Sequence, residues 1–181
     1  MVVLGSGEIG TELSRMMKYG FGVETIAALV RKKRKSDELV SKYFTSFDSL
    51  MASDEAKNAD FLVNILPSTN STKNLLNFEN MNNSQFRNTI FVNVGRGSIC
   101  SGSDIIKCLD NKIYKHAILD VLPVEPLPES SELWKRPDIV ITPHVSGLSN
   151  VDDICRLFME NLDFYLREKD LKFEVDVSEG Y

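Results

Sequence analysis

Three side chains suited to carbonyl chemistry stand far apart in this sequence: Arg96 in Asn93-Val94-Gly95-Arg96-Gly97, Glu125 in Asp120-Val121-Leu122-Pro123-Val124-Glu125-Pro126, and His144 in Thr142-Pro143-His144. An imidazole changes charge near neutral pH and can hand a proton to a developing alkoxide. A carboxylate hydrogen-bonded to its other nitrogen favours the protonated ring and fixes its orientation. A guanidinium can polarise a ketone and grip a neighbouring carboxylate through two parallel hydrogen bonds. Taken singly, each has a plainer reading: arginines in glycine loops are commonly surface residues, and acids in proline-rich turns are commonly solvated. Together with a hydride source they would convert a 2-keto acid to a 2-hydroxy acid, His144 acting as base in the oxidative direction.

The hydride source is indicated by Gly5-Ser6-Gly7-Glu8-Ile9-Gly10, which follows an apolar run at 2–4 and opens a helical pattern at 8–19. In that setting the motif binds a dinucleotide. The first glycine permits a tight turn, the second lets backbone approach the pyrophosphate, and the third allows helix and strand to pack closely. The positive end of the helix, beginning at Glu8 and Ile9, faces the phosphates. A second strand expected at 25–30 runs into Arg31 of Arg31-Lys32-Lys33-Arg34-Lys35, and the nearest acid downstream is Asp37. Sites selective for NAD place an acid near that strand end, whereas an arginine accommodates a 2′-phosphate. NADPH is therefore expected over NADH. The basic run also fits a solvated loop or a localisation signal, with only Arg31 well placed for the ligand.

The elements that would position these groups follow from the pattern of apolar residues. Runs at 61–66, 90–94, 117–121 and 139–142 alternate with helical patterns at 36–42, 78–82, 103–110 and 151–168. Short continuous strands separated by helices indicate an α/β fold, a doubly wound parallel sheet with helices on both faces. Ile154, Leu157, Phe158, Leu162, Tyr165 and Leu166 recur at helical spacing, which reads as a core stripe. Ser36-Asp37 and Ser103-Asp104 read as helix N-caps, and Asn111-Lys112 as a helix exit. His116 is expected at the surface or in packing, Trp134 as a packing anchor, and Cys100 and Cys108 as small core residues.

Composition bounds the function classes. In 181 residues, 43% are hydrophobic and 26% charged, which is ordinary for one globular domain. A net charge of -5 argues against a nucleic-acid partner. The three cysteines lack metal-ligand spacing, so no metal site is expected, and an unpaired thiol suits a reducing, cytoplasmic setting. No run approaches the ~18 apolar residues of a membrane span, so no membrane partner is expected. Asn70-Ser71-Thr72 matches a glycosylation acceptor by letter, but no secretory leader accompanies it.

In these residues and their order, the chain resembles the nucleotide-binding domain of the D-isomer-specific 2-hydroxyacid dehydrogenases. The resemblance runs over residues 5–181 and includes Leu66-Pro67-Ser68-Thr69-Asn70-Ser71-Thr72, the three segments around Arg96, Glu125 and His144, and the ending at Tyr181. It implies a Rossmann-type sheet and catalytic roles for Arg96, Glu125 and His144. It implies cofactor contacts at Gly5, Gly7, Glu8, Ile9, Gly10, Arg31, Pro67, Thr72, Val94 and Asp120. Asp120 has an equal claim as a strand-end cap. Arg31 and Glu125-Pro126-Leu127-Pro128 are most similar to glyoxylate and hydroxypyruvate reductases, which implies a small 2-keto or 2-hydroxy acid substrate. The family is commonly dimeric through its cofactor domains. A different class, the nucleotide-sensing C-terminal binding protein corepressors, resembles the same enzymes, although no partner-binding feature is readable here.

Family members carry a substrate-binding domain ahead of the glycine loop, and none precedes it in this sequence. A fragment, a shortened gene model and a natural remnant would each look like this. Cofactor binding with little or no turnover is expected, with residues 1–170 as the dinucleotide-binding domain. Residues 171–181 are expected to form a mobile or irregularly packed tail that would return to the absent domain.

Overall fold

Among the described residues, the six expected runs become β1 (Val2–Leu4), β2 (Ala27–Leu29), β4 (Phe61–Asn64), β5 (Thr89–Asn93), β6 (Tyr114–Leu119) and β7 (Ile139–Ile141), and a seventh strand that was not expected, β3 (Lys42–Phe44), joins them. They form one sheet in the order β3-β2-β1-β4-β5-β6-β7, with every pairing parallel. The helices are α1 (Glu8–Phe21), α2 (Phe47–Met51), α3 (Asp54–Lys57), α4 (Phe78–Asn82), α5 (Gly102–Asp110) and α6 (Val151–Leu166). The structure is a computed structural model that describes residues 1–147 and 149–175.

A parallel sheet joined by crossovers must bury both of its faces, and alternate strand residues do so here. Val2, Leu4, Ala27 and Leu62 pack on one side with Leu50, Met81, Ile105 and Leu109. Val3, Ala28 and Val63 pack on the other with Leu13 and Met17 of α1. This is the expected Rossmann-type, doubly wound architecture. Strand order reverses between β1 and β4, the place where ligands of such sheets bind.

Two compact units are present, Met1–Pro143 with the whole sheet and α1 to α5, and His144–Tyr181 with α6. Among the described residues no helix is long and apolar enough to cross a membrane.

Several local expectations change. No helix forms at 36–42; Asp37 instead accepts the N–H groups of Leu39 and Val40, each at 2.8 Å. That side-chain turn competes with a helix, and the chain passes directly into β3, so Ser36-Asp37 caps nothing helical. The cap of α5 is Ser101, whose Oγ accepts the Asp104 N–H, rather than Ser103-Asp104. The apolar stripe of α6 is not core: Ile154, Phe158, Leu162, Tyr165 and Leu166 are 39–72% exposed, and Leu157 is half-buried. Periodicity reveals an amphipathic helix, but among the described residues this unit has no second helix or strand to cover it. Trp134 is also largely exposed and anchors its loop by donating to the Pro128 carbonyl, while neighbouring Leu133 is buried. His116 is exposed and Cys100 and Cys108 are buried, as expected. Of the tail, residues 171–175 carry no regular element, and the Asn161 side chain pairs with the Lys172 backbone at 2.8 and 3.1 Å. The remainder of that expectation, 176–181, lies outside the described residues.

At the exit from α5, Lys112 takes a left-handed φ of 57°. The Ile113 N–H donates to Cys108 and the Lys112 N–H to Leu109, closing the helix with the bond pattern that glycine usually serves. Lys112→Gly is expected to raise stability by about 1 kcal/mol, read as a higher denaturant midpoint at unchanged slope.

Candidate active site

The chain leaves β1 through Gly5 at φ 98°, and the Gly5 N–H donates to Leu29 at 3.0 Å, tying the turn to β2. A Cβ at Gly10 would stand 2.2 Å from the Gly5 carbonyl oxygen, so only glycine lets α1 start this close to the strand. At Gly7 a Cβ would meet nothing within 4 Å, leaving the loop approachable from outside. Gly7 supplies α1 with no side-chain cap, so first-turn N–H groups remain for an anion. The Ser6 hydroxyl is buried without a hydrogen-bond partner. A glycine-only turn, an uncapped helix start and an unsatisfied hydroxyl fit a bound pyrophosphate. Glu8 and Ile9, in the first turn of α1, are exposed.

Beyond β2, Arg31 is exposed at the head of the basic run. Arg34, which the sequence reading passed over, reaches the glycine loop: its Nη1 donates to the Ser6 carbonyl at 2.8 Å. Five cations in succession look equivalent along the chain, and only the path of the loop distinguishes them.

On the other side of the switch point, two buried asparagines organise the loops. Asn64 Nδ2 donates to Asn93 Oδ1 at 2.8 Å, Asn64 Oδ1 accepts the Leu66 N–H at 3.2 Å, and Asn93 Nδ2 donates to the Arg96 carbonyl at 3.3 Å. Their signal in the sequence was an amide interrupting each of the two otherwise apolar runs at 61–66 and 90–94. Pro67 and Thr72 are half-buried in the following loop, where the Thr72 hydroxyl donates to the Pro67 carbonyl at 2.6 Å. Val94, also half-buried, donates its N–H to Asn64 at 3.2 Å.

Arg96 sits between two glycines that backbone contact demands. A Cβ at Gly95 would lie 2.7 Å from Asn64 Nδ2 and 2.8 Å from the Leu66 carbonyl oxygen; one at Gly97 would lie 1.9 Å from the Leu122 carbonyl oxygen. The arginine loop is thus held against the β4 loop on one side and the Glu125 loop on the other. Arg96 is exposed, with Nη1 donating to its neighbour Gly95 at 2.7 Å. Glu125 Oε1 accepts the Leu122 N–H at 2.7 Å, which pins the carboxylate to its own loop. Asp120 is buried, donating its N–H to Asn93 and accepting the Thr142 hydroxyl on Oδ1, so a strand-end role is visible. His144 follows Thr142 and Pro143 out of β7, is exposed, and takes a left-handed φ of 54°. Such a conformation costs a non-glycine residue roughly 1 kcal/mol or more.

Other nucleophiles and metals add little. Burial pushes the Cys108 thiol up to about 12 and Cys100 higher still, so neither is a thiolate at neutral pH. Among the described residues no three His, Cys, Asp or Glu side chains converge to hold a metal ion.

The sequence profile of the D-isomer specific 2-hydroxyacid dehydrogenase, NAD binding domain, matches residues 1–146. The chain belongs to this family. A protein of Corynebacterium melassecola without assigned function is 34% identical over 190 aligned positions, spanning all of this chain and 58% of that protein. Glyoxylate/hydroxypyruvate reductase A of Escherichia fergusonii is 28% identical, spanning 99% of this chain and 55% of the reductase. The chain thus spans little more than half the length of these relatives. Among solved structures, a family member from Xanthobacter autotrophicus in complex with NADPH and MES superposes with a TM-score of 0.88 at 27% identity, covering 100% of this chain and 72% of that one. An NADPH-dependent glyoxylate/hydroxypyruvate reductase of Sinorhizobium meliloti, in complex with NADP and sulfate, gives 0.86 at 28% identity, covering 99% and 56%.

Gly97→Ala is expected to lower stability by about 2 kcal/mol, because the arginine and glutamate loops must separate to admit one methyl group. Chemical denaturation measures the loss, and an unchanged midpoint would show that the two loops are not in contact.

Proposed function

We propose that this chain is the cofactor-binding part of an NADPH-dependent reductase of small 2-keto acids, of the glyoxylate and hydroxypyruvate type, yielding D-2-hydroxy acids. The observation that carries the reading is the clamping of the Arg96 loop between the β4 and Glu125 loops, beside a glycine turn suited to pyrophosphate. Bound NADPH supplies the hydride. In this reading Arg96 polarises the substrate carbonyl and stabilises charge on its oxygen. His144 donates the proton that oxygen receives, and Glu125 orients the imidazole. Gly5, Gly7, Glu8, Ile9 and Gly10 surround the pyrophosphate, Arg31 the 2′-phosphate, and Pro67, Thr72, Val94 and Asp120 the nicotinamide side.

The cofactor domain extends in this reading to residue 170, with the segment beyond it returning toward a substrate domain. Water exclusion around the carbonyl would be supplied by that second domain. Three free cysteines support a reducing, cytoplasmic location. Exposed Met16, Tyr19 and Phe21 on α1 support a homodimer.

Calorimetric titration with NADPH and NADH tests the reading. NADPH is expected to bind about tenfold more tightly or better, and Arg31→Ala to erase the difference. Equal affinities in the unmodified chain would overturn the preference. In a protein that turns over glyoxylate or hydroxypyruvate, His144→Gln is expected to lower kcat by about 10² to 10⁴ while leaving the NADPH Kd within about twofold.

A further inference from the structure

A chain of contacts joins the sheet to the basic loop and the basic loop to the glycine loop. Tyr43 lies in β3, hydrogen-bonded to β2, with its ring against the core around Val3 and Val40. Its hydroxyl donates to Asp37 Oδ2 at 2.7 Å. Asp37 Oδ1 accepts the N–H groups of Leu39 and Val40, and the Asp37 N–H donates back to Val40 at 3.1 Å. Arg34 lies with its guanidinium carbon 6.0 Å from the centre of the Tyr43 ring and donates to the Ser6 carbonyl. The Val40 N–H, then the Tyr43 hydroxyl, hold the Asp37 carboxyl below its usual range and so keep it charged.

Five successive cations repel one another and favour an extended, solvated loop. The Arg34 bond to Ser6 and the Asp37 bond to Tyr43 oppose that tendency at the C-terminal end of the run. We propose that Tyr43 and Asp37 are positioning residues for cofactor selectivity, holding the 31–35 loop against the glycine loop with Arg34 as tether, so that Arg31 meets the 2′-phosphate. This rests on the reading that the chain prefers NADPH. A loop ordered before binding spares the ligand the entropic cost of ordering it. Only NADPH carries the phosphate that this loop meets, so loosening it weakens NADPH and leaves NADH unaffected.

A double-mutant cycle on the full chain, titrated with both nucleotides, tests the tether. Tyr43→Phe keeps the ring and removes the bond to Asp37; it is expected to weaken NADPH binding about fivefold with NADH unchanged, and to add nothing when Arg34→Ala is already present. Asp37→Asn, which retains an acceptor for Leu39 and Val40, is expected to act in the same direction, and melting curves establish that each variant is folded. An NADPH affinity unmoved by Tyr43→Phe, an equal loss for NADH, or the same fivefold loss in the Arg34→Ala background would overturn the tether alone. Equal binding of the two nucleotides by the unmodified chain, unmoved by Arg31→Ala, would instead remove the cofactor preference and the tether with it.

Discussion

Backbone packed directly on backbone at the carboxyl edge of the sheet is the constraint on which the rest of the site depends. The Arg96 loop approaches the β4 loop and the Leu122 turn so closely that no side chain fits at Gly95 or Gly97. The same holds across the phosphate cradle, where Gly10 faces the Gly5 carbonyl. Interiors pack densely enough that a single added methyl must displace a neighbour. These contacts therefore bring loops from β1, β4, β5 and β6 toward one edge without relying on the flexible side chains they present.

Such close packing buries peptide groups and amides that need partners, and the Asn64 and Asn93 side chains supply them. Each ends a strand that is otherwise apolar, and each has lost its contact with water. A buried amide left unbonded would cost more than the pair contributes, so these two residues do more to specify one loop arrangement than to add net stability. Arg96 and Glu125, by contrast, are exposed at the tips of the loops thus fixed. The result is a rigid base with accessible charged tips.

The basic loop follows a different logic. Its charges gain little from one another, and the loop is held by the Arg34 bond to the Ser6 carbonyl and the Tyr43 bond to Asp37 rather than by apolar burial. Exposed polar contacts of this kind are individually modest. They can set the geometry of a loop without contributing much to global stability, which suits residues concerned with selectivity rather than with folding.

Six of the seven strands, the glycine turn and the extents of α1, α4 and α5 were legible along the chain, because each depends on residues within a few positions of one another, whereas β3, α2 and α3 were not anticipated. The segment at 36–42 misled because Asp37 offers its own backbone a turn that competes with a helix. The stripe on α6 was legible as periodicity, but periodicity does not name what covers it. Neither the Asn64 and Asn93 pair nor the reach of Arg34 to Ser6 could be read in advance. The sequence by itself determined which chemical groups exist and the local conformations that neighbouring residues dictate. Only the tertiary structure decided which asparagines meet and which of five cations touches the glycine loop, because those contacts depend on where loops from distant strands come to lie.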